Sequence, residues 1–226
     1  MTGQELLNQI YYAYKGKDTS RHPAWGTPKA STAIAIANRK QREWATDGRN
    51  KWNSLFEIRA LSSAIDDQTT TYDLDGDFFQ PSDYARIVKT DGSVYEYPIT
   101  QAQKRNDYDQ AIYIHGSNPK QITFAQTIDS GLDGATIYVP GYYLPADITS
   151  ASQFIVVDEP NWLVYITASE LARNDASKDD QYVNLVNQAN DIYRKMSDSN
   201  RDSGYKQLSM ITQNMPAIGV DEDWTL

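Results

Sequence analysis

The chain has 226 residues, 40% of them hydrophobic, a length that suits one substantial domain or one domain carrying a smaller insertion. It has no cysteine, which excludes disulfides, thiolate metal sites and cysteine nucleophiles, and no apolar run approaches the roughly 18 residues of a membrane helix. The net charge of −9 is uneven: residues 1–59 carry ten Lys and Arg against five Asp and Glu, and residues 60–226 carry eleven against 25. An acidic body binds nucleic acid poorly because affinity for DNA comes from neutralising phosphates.

Two helices are predicted at the start of the chain. The first begins at Thr2, which forms a capping-box pattern with Glu5, and it ends at Gly16. Pro in a first helical turn costs no hydrogen bond, so Thr27-Pro28 opens the second helix, which we expect to end near Gly48. Helical spacing relates Leu6, Leu7, Ile10 and Tyr14 in the first helix, and Ala33, Ile34, Ala37, Gln41 and Trp44 in the second.

The other face of the second helix is basic. Arg39, Lys40 and Arg42 lie on it beside Glu43. Such a face is either simply solvated or binds a partner, and the sequence favours neither interpretation over the other. Arg39, Lys40 and Arg42 are therefore candidates for a basic interface.

A β-rich insertion is predicted over residues 52–156. Residues 86–89 and 94–97 flank Asp91-Gly92, a strong short hairpin signal. Apolar side chains recur at every second position, and this period of two predicts an antiparallel sheet of five to seven strands. Further candidate strands include residues 56–60, 70–74, 111–115, 121–127 and 135–139.

Helices return after Pro160. Residues 162–172 are apolar nearly all round, which predicts a deeply buried helix, although a strand remains an alternative for the first half. The next helix has one clean stripe, and residues 197–203 form a polar break after it. The stripe consists of Tyr182, Leu185, Val186, Ala189, Ile192, Tyr193 and Met196.

The remaining segment, residues 204–226, is too apolar for a linker. We expect an extended arm that docks on its own domain or on a neighbouring subunit. The whole chain is thus predicted to be α+β: a helical bundle of residues 1–51 and 157–203, the insertion, and the C-terminal arm. The candidate docking residues of the arm are Tyr205, Leu208, Ile211, Met215, Ile218 and Trp224.

No chemistry-bearing motif stands out. Phosphate-binding Gly-rich loops and the serine-hydrolase elbow are missing from the sequence, and residues 73–77 fail the spacing of a calcium loop, so a turn entering a strand is predicted there. His22 and His115 have no second ligand at metal-site spacing, which favours structural roles. The acidic pairs at 158–159 and 179–180 favour helix N-termini through the helix dipole. We predict no catalytic residue, metal or cofactor.

The order of several landmarks carries a family resemblance. Residues 36–45 (IANRKQREWA) and 52–56 (WNSLF) precede 72–79 (YDLDGDFF), 111–116 (AIYIHG) and 122–124 (ITF). Then come 134–140 (GATIYVP), Leu144-Pro145 and 157–160 (VDEP), which opens two long helices. From about residue 5 to residue 200, this order resembles the phage head-to-tail adaptor, or head-completion, proteins. The family's usual Leu-Pro-x-Asp-Phe stands here as residues 74–78 (LDGDF), without Pro, and its shorter members lack so long a β-region.

The resemblance implies a structural protein and not an enzyme. In that family a helical bundle carries an inserted β-domain, and the subunits form a ring, commonly of twelve copies, beneath the portal protein. The ring extends the DNA channel and provides a platform for tail tube or nozzle proteins, or for proteins that attach tail fibres. C-terminal arms in such proteins often reach along the portal. We expect a soluble protein made in the host cytoplasm and built into the virion at the head–tail interface. DNA then passes through the channel without specific binding, and no membrane is involved.

Two alternatives come from other functional classes. A peptidoglycan-degrading enzyme of the virion would use carboxylates such as Asp158, Glu159 or Glu170, but adjacent acids do not establish a convergent pair. A tail or receptor-binding module is compatible with the Tyr-rich β-region. Helices at both ends of the chain and the lack of Gly/Ser repeats disfavour a fibre.

Overall fold

Four α-helices and a curled sheet form a mixed α and β fold. The computed structural model describes residues 1–16, 22–66, 68–100, 111–117, 119–125 and 130–213, with side chains in the last helix as far as Arg201. The helices are α1 (Gly3–Lys15), α2 (Pro28–Ala45), α3 (Pro160–Arg173) and α4 (Asp179–Gln213). Between α2 and α3 lie β1 (Phe56–Ala60), β2 (Thr71–Asp73), β3 (Phe78–Pro81), β4 (Tyr84–Val88), β5 (Val94–Thr100), β6 (Ile112–His115), β7 (Gln121–Phe124) and β8 (Thr136–Tyr143). The predicted combination of helices with a sheet placed between them is confirmed.

The helix starts follow the predicted capping chemistry. The Glu5 backbone N–H donates to the Thr2 hydroxyl, and the Thr2 N–H donates to the Glu5 carboxylate at 2.8 Å. Gly16 ends α1 with a φ of 85°, and the Thr27 hydroxyl caps α2. The predicted end of α2 near Gly48 is slightly late, because the carboxylate of Asp47 accepts the Arg49 N–H in a local turn that replaces helical bonding.

One core is helical. Helix α3 lies at its centre and contacts α1, α2 and α4, which confirms the prediction of a buried helix and excludes the strand alternative. Leu163 is fully buried, and burial of such a side chain is worth roughly 1.5–3 kcal/mol. The indoles of Trp44 and Trp52 stack in the same core with ring centroids 5.1 Å apart.

A second core lies inside the sheet. The strand order is β1-β8-β4-β5-β6-β7-β2, and β3 also pairs with β8. The inward faces bury Ile87, Ile112, Ile122, Ile137 and Val139. The predicted hairpin is confirmed, with β4 and β5 antiparallel and Gly92 at a φ of 86°.

The sheet also differs from the prediction. It has eight strands among the described residues, not five to seven, because β3 is a short segment ending at Pro81 with no clear alternation. The prediction of an antiparallel sheet is wrong for one pair, since β5 and β6 are parallel, with Ile99 opposite Ile112. Parallel neighbours need a long connection and not a tight turn, and residues 101–110 provide that length of chain.

The boundary between the two cores also differs from the predicted 52–156 insertion. Trp52, Leu55 and Ile148 pack in the helical core. The Gln41 side chain donates to the Ala146 carbonyl at 3.0 Å, which fixes the chain beyond β8 to α2. The sheet insertion is therefore narrower than predicted and runs from β1 to β8.

Helix α4 is longer than predicted. It continues to Gln213, so the predicted break at residues 197–203 is wrong and residues 204–213 are helical, not extended. Polar residues in this stretch support the helix: Ser197 donates to Asn50 at 2.8 Å, and Arg201 pairs with Asp198 one turn before it. Residues 214–226 of the predicted arm lie outside the described residues.

Candidate functional site

The second half of α4 is fixed to the loop that follows α2. The Tyr193 hydroxyl donates to the Asp47 carboxylate and accepts from the Asn50 amide at 3.1 Å, while its ring meets Trp52 edge-on. The Asn200 side chain accepts the Asn53 backbone N–H at 3.0 Å. These contacts join residues about 145 positions apart and set the direction in which α4 continues.

Burial and charge tune this junction. Burial raises the pKa of Tyr193 to about 12, and its hydrogen bond to the Asp47 carboxylate acts in the same direction. Burial opposes ionisation of Asp47 as well, but hydrogen bonds from Tyr193 and from the Arg49 backbone N–H outweigh it and lower the pKa of Asp47. At neutral pH the pair is a protonated phenol donating to a carboxylate.

A basic groove runs along one flank of α4. It has a volume of about 640 Å³ and is lined by three cations, Arg49, Arg194 and Arg201, against one carboxylate, Asp198. Arg201 forms an ion pair with Asp198, whereas Arg49 and Arg194 are exposed and form no salt bridge with any residue that the structure describes. The groove therefore presents guanidinium groups suited to carboxylate or phosphate oxygens.

An acidic groove runs along the other flank. It has a volume of about 590 Å³, and Asp158 and Glu159 line it opposite Lys195 and Ser199 of α4. Glu159 is partly engaged, because it caps α3 and accepts from the Asn161 side chain at 2.8 Å. Asp158 is exposed and forms no salt bridge within the described ranges. A carboxylate is thus left for an external cation.

Exposed apolar side chains share a chain segment or a helix face with charged residues of each groove. Residues 153–157 alternate, so that Phe154 (74% exposed) and Val156 (42%) face outward on the side that leads to Asp158. On α4, Val183 is 53% exposed and lies 11 residues before Arg194, on the same face of the helix. Both the chain segment at residues 154–158 and this face of α4 therefore have an apolar end and a charged end, and the charged end lines a groove.

Only three of the six predicted docking residues of the arm belong to the part of the chain that the structure describes. Tyr205, Leu208 and Ile211 lie within α4 at a spacing of three residues. Met215, Ile218 and Trp224 lie outside the described residues. Their role in docking on the portal stays a prediction.

The predicted basic face of α2 is neutralised within the chain. Lys40 pairs with Glu170 of α3 at 3.1 Å, and Arg39 lies 3.4 Å from the same carboxylate. Arg42 pairs with Asp147 in the segment after β8. These pairs tie α2 to α3 and to the chain beyond β8, so Arg39, Lys40 and Arg42 do not form a free basic patch. A partner would have to compete for them.

Two of the three carboxylates named for the enzymatic alternative are engaged within the chain. Glu170 is held by two cations and Glu159 by its helix cap, as described above. Within the described part of the chain, no group of three or more His, Asp or Glu is placed to hold a metal ion. The His115 ring nitrogen Nε2 lies 2.7 Å from the Thr123 hydroxyl, and His22 Nε2 lies 3.4 Å from the Gly16 carbonyl.

The turn at residues 73–77 leads into β3, as predicted, and its acids have a structural partner. The Arg59 guanidinium bonds to Asp75 at 3.2 Å and to Asp77 at 3.0 Å, and stacks on the Tyr143 ring. The residues form a brace between β1, the turn and β8.

Both grooves were missed by the sequence prediction. Arg49 lies in a loop remote from Arg194 in sequence, and only the spacing of Arg194 and Arg201, two helical turns apart, hints at a shared face. Exposed positions at Phe154, Val156 and Asp158 alternate with more buried ones, and this pattern could have indicated the surface that leads to the other groove. It lies outside any regular strand.

No model of a known protein family matches the chain, and no curated protein matches its sequence significantly. Nowhere in the described ranges does a helix have both the length and the apolar character needed to span a membrane.

Proposed function

We propose that this chain is a structural adaptor, or head-completion, protein of a tailed-phage particle. In the proposal, copies of the chain form a ring beneath the portal, extend the DNA channel and provide the platform to which tail proteins attach. The protein is not an enzyme in this account, and DNA passes through the ring without specific binding.

The observation that carries the proposal is the arrangement of the two cores. Helices from both ends of the chain share one core, and the sheet inserted between α2 and α3 has its own. This is the arrangement that the resemblance implies for an adaptor.

Helix α4 supports the proposed docking on the portal. It has 35 residues and spans about 52 Å at 1.5 Å per residue. Its last 13 residues follow Asn200, which anchors it to the loop after α2. A helix fixed at its middle and continuing beyond the anchor is suited to reaching a second protein.

The charge supports the proposed channel. The chain carries a net charge of −9, and a wall of the same sign as DNA repels it. A channel through which DNA slides needs this property more than affinity.

The test is assembly on a portal. Full-length protein is mixed with purified portal rings of the same phage and examined by electron microscopy. We expect a second ring of density on one end of the portal particle, absent from portal alone. Portal particles that keep their original outline at saturating protein would contradict the proposed function.

A further inference from the structure

Two surfaces whose charged ends line the grooves flanking α4 have complementary chemistry, and we propose that they bind each other between copies of this chain. The apolar and acidic strip formed by Phe154, Val156 and Asp158 of one copy docks along the Val183–Arg194–Arg201 stripe of the next. The choice of a second copy as occupant rests on the proposed function, which requires neighbouring copies in a ring.

The order of groups matches on the two surfaces. The strip runs from Phe154 and Val156 to a free carboxylate at Asp158, over at most about 13 Å of extended chain. The stripe runs from Val183 to the guanidinium of Arg194, 11 residues or about 16 Å along α4. Apolar contact at one end and an ion pair at the other can therefore form together.

Most of the charges have no ion pair of their own, although Arg201 of the stripe pairs with Asp198. Asp158, Arg49 and Arg194 form no salt bridge with the residues that the structure describes, in contrast to the basic face of α2, whose cations are all paired. Pairing these charges across an interface between copies costs no existing ion pair. Charge complementarity of this kind fixes register and orientation between partners.

The apolar ends are available as well. Phe154 is the most exposed large hydrophobic residue among those described, and exposed apolar side chains at a charged rim are typical of interaction sites. Burial of the Phe154 ring against Val183 supplies the non-directional part of the contact.

The positions of the grooves suit a ring and not a pair. Asn190, Arg194 and Ser197 line one groove, and Ile192, Lys195 and Ser199 line the other, roughly half a helical turn away around α4. Two different surfaces on opposite flanks make a head-to-tail contact, which each copy can repeat with the next. Such contacts close into rings when the rotation between copies allows it.

Disulfide trapping tests the contact directly, because the chain has no cysteine of its own. A Val156→Cys chain is mixed with a Val183→Cys chain that carries an affinity tag, and the mixture is oxidised both free at high concentration and bound to portal rings. We expect a cross-linked dimer whose mass is that of one tagged and one untagged chain. The matched control replaces the first partner with Val94→Cys, since Val94 is even more exposed, at 56% against 42% for Val156, but lies on β5.

Charge reversal provides a second measurement. Asp158→Arg in the Val156→Cys chain, or Arg194→Asp in the Val183→Cys chain, should reduce formation of the mixed dimer roughly tenfold. A mixture in which both chains carry their respective substitutions should restore it. Three outcomes would overturn the proposed contact. Cross-links could form only between two tagged or two untagged chains, the Val94→Cys control could cross-link as efficiently as Val156→Cys, or no cross-link could form in either preparation. Portal rings decorated without this cross-link would overturn the contact alone, whereas a cross-link without portal binding would overturn the proposed function alone.

Discussion

Tyr193 and Asp47 join α4 to the loop that follows α2. The phenol donates to the carboxylate, Asn50 donates to the phenol, and the ring rests edge-on against Trp52 and beside Trp162. A hydrogen bond to a charged group is stronger than one between neutral groups. The junction therefore adds specific polar contacts to the apolar packing of α4 in the helical core.

Removal of the Tyr193 hydroxyl should weaken the fold measurably. We expect Tyr193→Phe to lower the free energy of unfolding by about 1 to 2 kcal/mol, because the carboxylate of Asp47 and the amide of Asn50 both lose a partner. Urea denaturation at pH 7 measures the change. The control is Tyr12→Phe, which removes a hydroxyl from an exposed tyrosine of α1 and should change the free energy by less than about 0.5 kcal/mol. Equal effects of the two substitutions would show that the Tyr193 hydrogen bonds contribute nothing.

The raised pKa of Tyr193 also predicts alkaline sensitivity. The unfolded chain releases the tyrosine proton near pH 10, and the folded chain holds it to about pH 12. The contribution of Tyr193 to the free energy of unfolding is therefore fully present below pH 10 and is lost as pH rises from 10 to 12. Burial raises the pKa of Tyr143 to about 12 as well, so both residues contribute to this loss. The free energy of unfolding measured from pH 9 to 11.5 should decline less steeply in Tyr193→Phe than in the parent protein. Parallel curves would contradict this prediction.

At the scale of elements, the close contact of β3 with β8 depends on a glycine. A Cβ added at Gly141 would lie 2.7 Å from the Gln80 carbonyl oxygen and 2.7 Å from the Phe78 ring. Gly141→Ala should therefore destabilise the protein by about 1 to 3 kcal/mol, as overpacking does in other cores. Thermal unfolding measures it, with Gly76→Ala as the control because nothing lies within 4 Å of a Cβ there. A midpoint of Gly141→Ala no lower than that of Gly76→Ala would argue against the close approach of these strands.

Helix α4 divides into an anchored part and a part beyond the anchor. Deletion of residues 205–226 leaves the contacts of Tyr193, Ser197 and Asn200 intact, so the free energy of unfolding should stay within about 1 kcal/mol of the full chain. Binding to portal rings should be lost, because the candidate docking residues are removed. Circular dichroism and co-sedimentation with portal rings measure the two effects.

A shorter deletion locates the docking residues. Removal of residues 214–226 alone eliminates Met215, Ile218 and Trp224 but keeps the helical residues Tyr205, Leu208 and Ile211. Partial loss of portal binding would assign part of the contact to each set. Unchanged binding after the longer deletion would refute the docking role of the arm.

The elements that could be predicted from sequence are those with local signals. The capping box at Thr2, the Pro in the first turn of α2 and the Asp91-Gly92 hairpin each specify a structure within a few residues. The parallel pairing of β5 with β6 and the attachment of residues 146–148 to α2 depend on contacts distant in sequence. The extension of α4 through a polar run depends on tertiary bonds from Ser197 and Asn200, which overrule the local pattern.

At the scale of the whole molecule, the uneven charge predicts how the protein meets DNA. Residues 60–226 carry 25 acidic against eleven basic residues, and Arg39, Lys40 and Arg42 of α2 are already paired. We expect no retardation of duplex DNA in a gel-shift assay at an ionic strength of about 0.15 M. A stable complex with DNA at that ionic strength would contradict a channel that DNA passes without binding.

The proposed ring also predicts a definite stoichiometry. Head-to-tail contacts around a portal place the same number of copies on every particle, and the resemblance leads us to expect twelve.

The mass of the complex between this protein and portal rings tests the adaptor role most directly. Native mass spectrometry of saturated particles should show a single species heavier than the portal by a fixed whole number of 25.6 kDa chains. A broad series of masses with one or a few added chains, or no gain in mass, would contradict the account.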